Sequence, residues 1–170
     1  MTKTVFLFAD ICDSIVGLQS SKKQEWESKD SVLYLQKTIQ KLGYKTILIE
    51  PKKNSFEMGK FFGKLSQSSK IERGKNIFFN LVEGFYSRNR EAYIPSLAEF
   101  FGFPHTGSDA YAQILTLDKN LSKIIAKSIG VPVKPHFVIR DVKEINKIDF
   151  LKPMFWKPIG EGSGISISEK

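Results

Sequence analysis

An α/β fold built on a doubly wound parallel sheet is the class this sequence predicts. Three observations carry it. Short apolar runs rich in β-branched and aromatic residues lie at 4–9, 46–50 and 77–81. Stretches with helical spacing fall between them. The resulting β-α-β-α-β alternation is complete by residue 81, which calls for right-handed crossovers onto parallel strands.

The elements follow in order. Residues 4–9 form an uncharged strand closed by Asp10, and residues 10–27, without clear period, form a loop. Val32, Leu35, Ile39 and Leu42 repeat at helical spacing; Ser28 or Asp30 can cap this helix and Gly43 ends it. The second strand, 46–50, stops at Pro51. Phe56, Phe61, Phe62 and Leu65 mark a second helix, and 77–81 is the third strand. A third helix covers about 95–101, with Pro95 in its first turn and Gly102 and Pro104 beyond it. After the turn 105–108, Ser108 or Asp109 caps a short helix through Leu115, and Leu121, Ile124, Ile125 and Ile129 define another, ended by Gly130 and Pro132. From there the character changes. Pro132 and Pro135 mark an extended linker, 137–139 and 154–156 read as strands, and Ile165 and Ile167 alternate with serines. A domain boundary is placed at 132/133. Ligands of open parallel sheets sit beyond the carboxyl ends of the strands, so 10–27 and 82–90 are the candidate functional segments.

Composition narrows the class. With 170 residues, 41% hydrophobic and 26% charged, the chain is neither disordered nor fibrous. No run reaches the ~20 apolar residues that span a bilayer, and no membrane partner is expected. A lone cysteine, Cys12, excludes an internal disulfide and a thiolate metal cluster and suits a reducing cytoplasm. The net charge of +8 raises nucleic acid as a partner, but only Arg73, Arg88, Arg90 and Arg140 supply the bidentate fork that phosphate and base readers favour. Lysines on solvated helix faces explain the charge, and nucleic acid is not expected.

Gly160, Gly162 and Gly164 form a G-x-G-x-G loop with Lys157 just before it. Glycines let backbone N–H groups approach an anion. The spacing fits neither the dinucleotide fingerprint nor the Walker pattern. On local sequence alone, a phosphate loop and an ordinary hairpin turn both stand.

An ordered series of motifs sharpens this: 80–84 (NLVEG), 88–92 (RNREA), 103–109 (FPHTGSD), 117–119 (LDK), 130–133 (GVPV), 156–158 (WKP) and 161–163 (EGS). In this order they resemble the ATP-grasp family, in its D-alanine–D-alanine ligase-like branch, over about residues 25–170. The resemblance implies a pre-ATP-grasp, Rossmann-like substrate-side domain with its helical connection at 1–132. It implies the first strands of an α+β ATP-grasp central domain at 133–170. It further implies an ATP-dependent carbon–nitrogen ligase, in which ATP phosphorylates one carboxylate and an amine attacks the acyl phosphate, with a place in peptidoglycan synthesis. Lys119 and Lys157 match the family's ATP-contacting lysines. Glu161, Gly162, Ser163 and Gly164 match the loop over the phosphates, and Ser163 also matches a serine at the first substrate, a catalytic position. Glu27, then Glu25, match the early glutamate that holds the substrate amine. Glu83 stands at a family histidine in the substrate region, so D-alanine is not fixed as the first substrate. The loop runs Ser163-Gly164-Ile165 where the family often has two serines. His105 replaces a common tyrosine and reads as a turn residue rather than a base, because spacing fixes no carboxylate partner for it.

The family's adenine hinge, catalytic arginine and Glu/Asn magnesium ligands lie beyond the glycine loop. No metal ligands are therefore expected within this chain, and the magnesium that accompanies ATP would be held elsewhere. The expected reading is the N-terminal portion of a ligase, inactive alone, with ATP, amino-acid-like substrates and a C-terminal half or a second copy as partners. The alternative is a non-catalytic ligand- or protein-binding module derived from an ATP-grasp protein. The 135–170 segment is expected to expose apolar surface, including Phe155 and Trp156.

Overall fold

A computed structural model describes residues 3–14, 24–51, 55–68, 73–148 and 154–165. The chain divides into two compact units, 1–114 and 115–170.

The first unit is an α/β layer structure. Strands β1 (Thr4–Ala9), β2 (Lys45–Ile49) and β3 (Asn76–Leu81) form a parallel sheet in the order β2-β1-β3. Phe6 faces Ile47 in β2 and Phe78 in β3 across the ladder. Between the strands run helices α1 (Lys29–Lys41) and α2 (Ser55–Gln67), and α3 (Tyr93–Phe101) follows β3. Strand alternation sends successive side chains of β1 to opposite faces. Phe6 and Phe8 join Phe78, Met58, Phe62, Ile94, Ala98 and Phe103 on the face covered by α2 and α3. Leu7, Ala9 and Ile11 meet Val32 of α1 on the other. A central strand buried on both faces must be apolar throughout, which is why β1 carries no charge until Asp10.

The first face is an aromatic cluster. Phe78 lies 5.3 Å from Phe8 and 5.0 Å from Phe62, edge to face in both cases. Ser28 caps α1 by accepting the Ser31 N–H at 3.1 Å, so of the two expected caps Ser28 is used. Residues 104–106 extend the sheet beside β3: the Phe78 N–H donates to the Pro104 carbonyl and the Thr106 N–H to the Phe78 carbonyl. His105 thus lies on a strip along β3 rather than in a free turn, and its Nε2 lies 3.4 Å from a Glu99 carboxylate oxygen. The sheet brings near in space a partner that spacing did not show.

Helix α4 (Ala110–Leu117) leads into the second unit, which contains α5 (Lys119–Ser128) and a short 3-10 helix at Val142–Lys147. The compact division therefore falls ahead of α5, whereas the sequence places the domain boundary at 132/133. Asp109 caps α4 by accepting the Ala112 N–H at 2.7 Å. Strands are expected at 137–139 and 154–156; among the described residues neither segment carries a ladder. Ile165 closes a turn on Gly162, and the alternation expected beyond it lies outside the described residues. Phe155 is 86% exposed and Trp156 49%, as expected.

Candidate functional site

Each unit holds its own set of candidate residues. In the first, they gather at the carboxyl edge of the sheet, where β1 and β3 lie side by side and the strand order reverses. Both segments chosen from sequence, after β1 and after β3, meet here.

Asp10 is the first residue past β1 and is buried. Its Oδ2 accepts the N–H of Glu83 at 3.1 Å and of Gly84 at 2.7 Å, fastening the β3 loop to the end of β1. Two backbone donors also give the buried carboxylate the partners that burial requires. Gly84 has φ +75°, and a Cβ there would stand 2.8 Å from the Arg90 Cβ and 3.0 Å from the Arg90 carbonyl oxygen. Glycine is required at this position both by the left-handed backbone and by the closeness of Arg90.

Arg90 is buried beside Glu25. Its Nη2 lies 3.1 Å and 3.4 Å from the two carboxylate oxygens, with the Glu25 side chain only 1% exposed. Trp26 beside it packs edge-on against Phe85 at 4.4 Å, joining the 24–28 segment to the β3 loop a second time. Glu83 is half-buried. Its carboxyl is pushed up from 4.5 to about 7, first by burial, then by the charges of Glu91 and Glu25 and a hydrogen bond with Glu91, against the opposing pull of Arg90.

The three sequence-chosen glutamates are placed differently. Glu25 and Glu83 are close enough to influence each other's charge. Glu27 is exposed; its backbone donates to the Asp10 carbonyl at 3.2 Å and accepts from the Cys12 N–H at 3.0 Å. Asp10, Arg90 and Glu91 join the site although sequence reasoning did not select them. The signal was present for Asp10, since a charge directly after a buried strand stands at the ligand-facing edge of a parallel sheet. For Arg90, nothing in sequence tells a buried arginine from an exposed one.

In the second unit, Lys119 opens α5 directly after its cap. The Asp118 carboxylate accepts the N–H groups of Asn120 and Leu121, both at 2.9 Å. The Lys119 backbone N–H donates to the Ile159 carbonyl at 3.0 Å, and its Nζ donates to the Glu161 carbonyl. The glycine loop is thus bound to the helix start at two points. Lys119, Lys157, Glu161, Gly162, Ser163 and Gly164 line one cleft of about 150 Å³, together with Pro158 and Ile165. All six ATP-side residues chosen from sequence therefore come together. Ser163 and Gly164 both have positive φ, 47° and 71°, and the Ile165 N–H closes the turn on the Gly162 carbonyl at 3.0 Å. Ligand pockets for whole drug-sized molecules run from about 300 Å³ upwards, so this cleft is smaller than one that would enclose a whole nucleotide. Two lysines and a glycine turn are a fitting donor set for phosphate oxygens. Among the described residues, no group of three or more His, Cys, Asp or Glu side chains is disposed to hold a metal ion. No helix among them is long and apolar enough to cross a membrane.

Comparison with known proteins agrees with the resemblance seen in the motifs. The chain is 27% identical over 157 residues to a D-alanine–D-alanine ligase of Glaesserella parasuis, covering 90% of this chain and 46% of that protein. It is 32% identical over 98 residues to a D-alanine–D-alanine ligase of Neisseria gonorrhoeae, covering 56% of this chain and 32% of that protein. The crystal structure of D-alanyl-alanine synthetase A from Vibrio cholerae matches its fold with a TM-score of 0.56 at 18% identity, over 86% of this chain and 44% of that one. No protein-family model matches. The chain spans less than half the length of the curated relatives it matches.

Proposed function

From a chain that is D-alanine–D-alanine ligase-like over most of its length, we propose that residues 1–170 supply part of an ATP-dependent carboxylate–amine ligase. Residues 1–132 act as the substrate-side domain with its helical connection, and 133–170 as the beginning of the ATP-grasp domain. The observation that carries the reading is the convergence of Lys119, Lys157 and the 161–164 turn on one cleft.

ATP, when bound, supplies the phosphoryl group that turns a carboxylate into an acyl phosphate open to attack by an amine. This chain's residues bind and orient. Lys119 and Lys157 place positive charge on phosphate oxygens, and backbone N–H groups of the turn at Ser163 and Gly164 add donors as charge develops. The Ser163 hydroxyl orients the first substrate. On the substrate side, the carboxylates after β1 and β3 hold a ligand amine. Magnesium, held by groups other than those of residues 1–170, accompanies the nucleotide, and the reaction takes place in the cytoplasm. The substrates are amino-acid-like. On this reading residues 1–170 do not turn ATP over by themselves, and the adenine and magnesium contacts come from outside them.

Addition of ATP to the isotope-labelled chain should shift the amide signals of Lys119 and residues 162–164. Lys119→Ala should weaken that binding about tenfold or more, the scale of a hydrogen bond to a charged group. Shifts that spare these residues, or an unchanged affinity in the variant, would overturn the ATP role.

A further inference from the structure

We propose that Arg90 is a positioning residue of the substrate side: it ties Glu25 down and, across Gly84, fixes the loop carrying Glu83, so that Glu83 rather than Glu25 meets a ligand amine. The proposal rests on the amine-binding part of the reading above.

Glu25 is poorly placed to bind a ligand. Its side chain is 1% exposed, and one guanidinium nitrogen reaches both of its oxygens. An amine could take Glu25 only by breaking this buried ion pair, and breaking such a pair is costly. Glu83 is half-buried and stands on a loop held from two directions. Asp10 accepts the N–H groups of Glu83 and Gly84, and Arg90 lies against the open side of Gly84, where even a methyl group would collide with it. Among the described residues, the charged groups acting on Glu83 are Glu91, Glu25 and Arg90, with Asp10 on its own backbone N–H. Arg90 is the cation in that set, and it acts on Glu83 both by charge and by loop geometry. Near neutral pH Glu83 can hold a proton shared with Glu91, and a ligand ammonium would replace that proton.

The test is a carboxyl-carbon NMR titration of Glu83 in the 170-residue chain, with D-alanine as the amine-bearing probe. In the unaltered chain the midpoint should lie at about 7. In Arg90→Met, with its circular dichroism unchanged, it should rise, because the opposing pull of the Arg90 charge is removed. D-alanine should lower the midpoint in the unaltered chain and do so several-fold more weakly in Arg90→Met. An unmoved midpoint in folded Arg90→Met overturns the proposal, as does a Glu83 that titrates near 4.5 in the unaltered chain. Should Arg90→Met fail to fold, Arg90→Lys, which keeps a cation but not the guanidinium fork, decides: D-alanine should lower the Glu83 midpoint several-fold more weakly than in the unaltered chain, and an undiminished response overturns the proposal. If D-alanine leaves the Glu83 signal in place while the Arg90→Met shift is present, amine binding by Glu83 fails and the hold of Arg90 on Glu83 stands.

Discussion

At Gly84 a single missing methyl group decides whether the two loops at the sheet edge can meet. Gly84→Ala forces a left-handed alanine against Arg90 and should cost about 2 kcal/mol or more in urea unfolding. A milder loss, below about 1 kcal/mol, would mean that the loop yields. Glu83 offers a pH signature. Its carboxyl is at about 7 in the folded chain against 4.5 ordinarily, so the folded chain keeps a proton that the unfolded chain releases between those values. That contribution to stability is complete below about 4.5 and is lost as pH rises through about 7. Comparing the unaltered chain with Glu83→Gln across this range should isolate the slope, on the order of 1 kcal/mol once partial exposure is allowed for. Single residues were the least legible feature of the sequence. The motifs named Glu25, Glu27 and Glu83, yet only the fold shows that Glu25 is engaged by Arg90 while Glu27 is exposed. Burial of a charge depends on contacts between residues 65 positions apart, which no local pattern encodes.

Elements were legible where a hydrophobic pattern and a neighbour coincide. β1 reads clearly because a central strand covered on both faces excludes charge, β2 and β3 from their β-branched and aromatic runs, and α1 because its apolar spacing has an orderly cap and stop. The segments at 137–139 and 154–156 have a similar apolar composition, and among the described residues they carry no ladder. The Asp118 cap organises the start of α5. Asp118→Ala removes acceptors for two helix N–H groups and should cost about 1 kcal/mol, read as faster exchange at Asn120 and Leu121. In the first unit, Phe78→Ala empties the centre of the aromatic cluster and should cost about 3–5 kcal/mol in the same urea experiment.

For the molecule as a whole, the doubly wound sheet and its ligand edge follow from β-α-β alternation alone. The cleft proposed for phosphate does not: its glycine spacing matches no familiar fingerprint, and the proposal depends on the ordered motifs around it. Two chemistries sit on separate units, carboxylates at the sheet edge of 1–114 and lysines with a glycine turn in 115–170. A ligase needs both, and a simple binding module needs only one. The decisive measurement is phosphate release from ATP with amino acids present, comparing the 170-residue chain alone with the chain mixed with a polypeptide equivalent to the remaining length of its ligase relatives. Release that requires both polypeptides, depends on the amino acid and is lost in Lys119→Ala is the predicted result. No release with any amino acid in the mixture, while the chain still binds ligand through its first unit, would contradict the ligase account and favour a non-catalytic module.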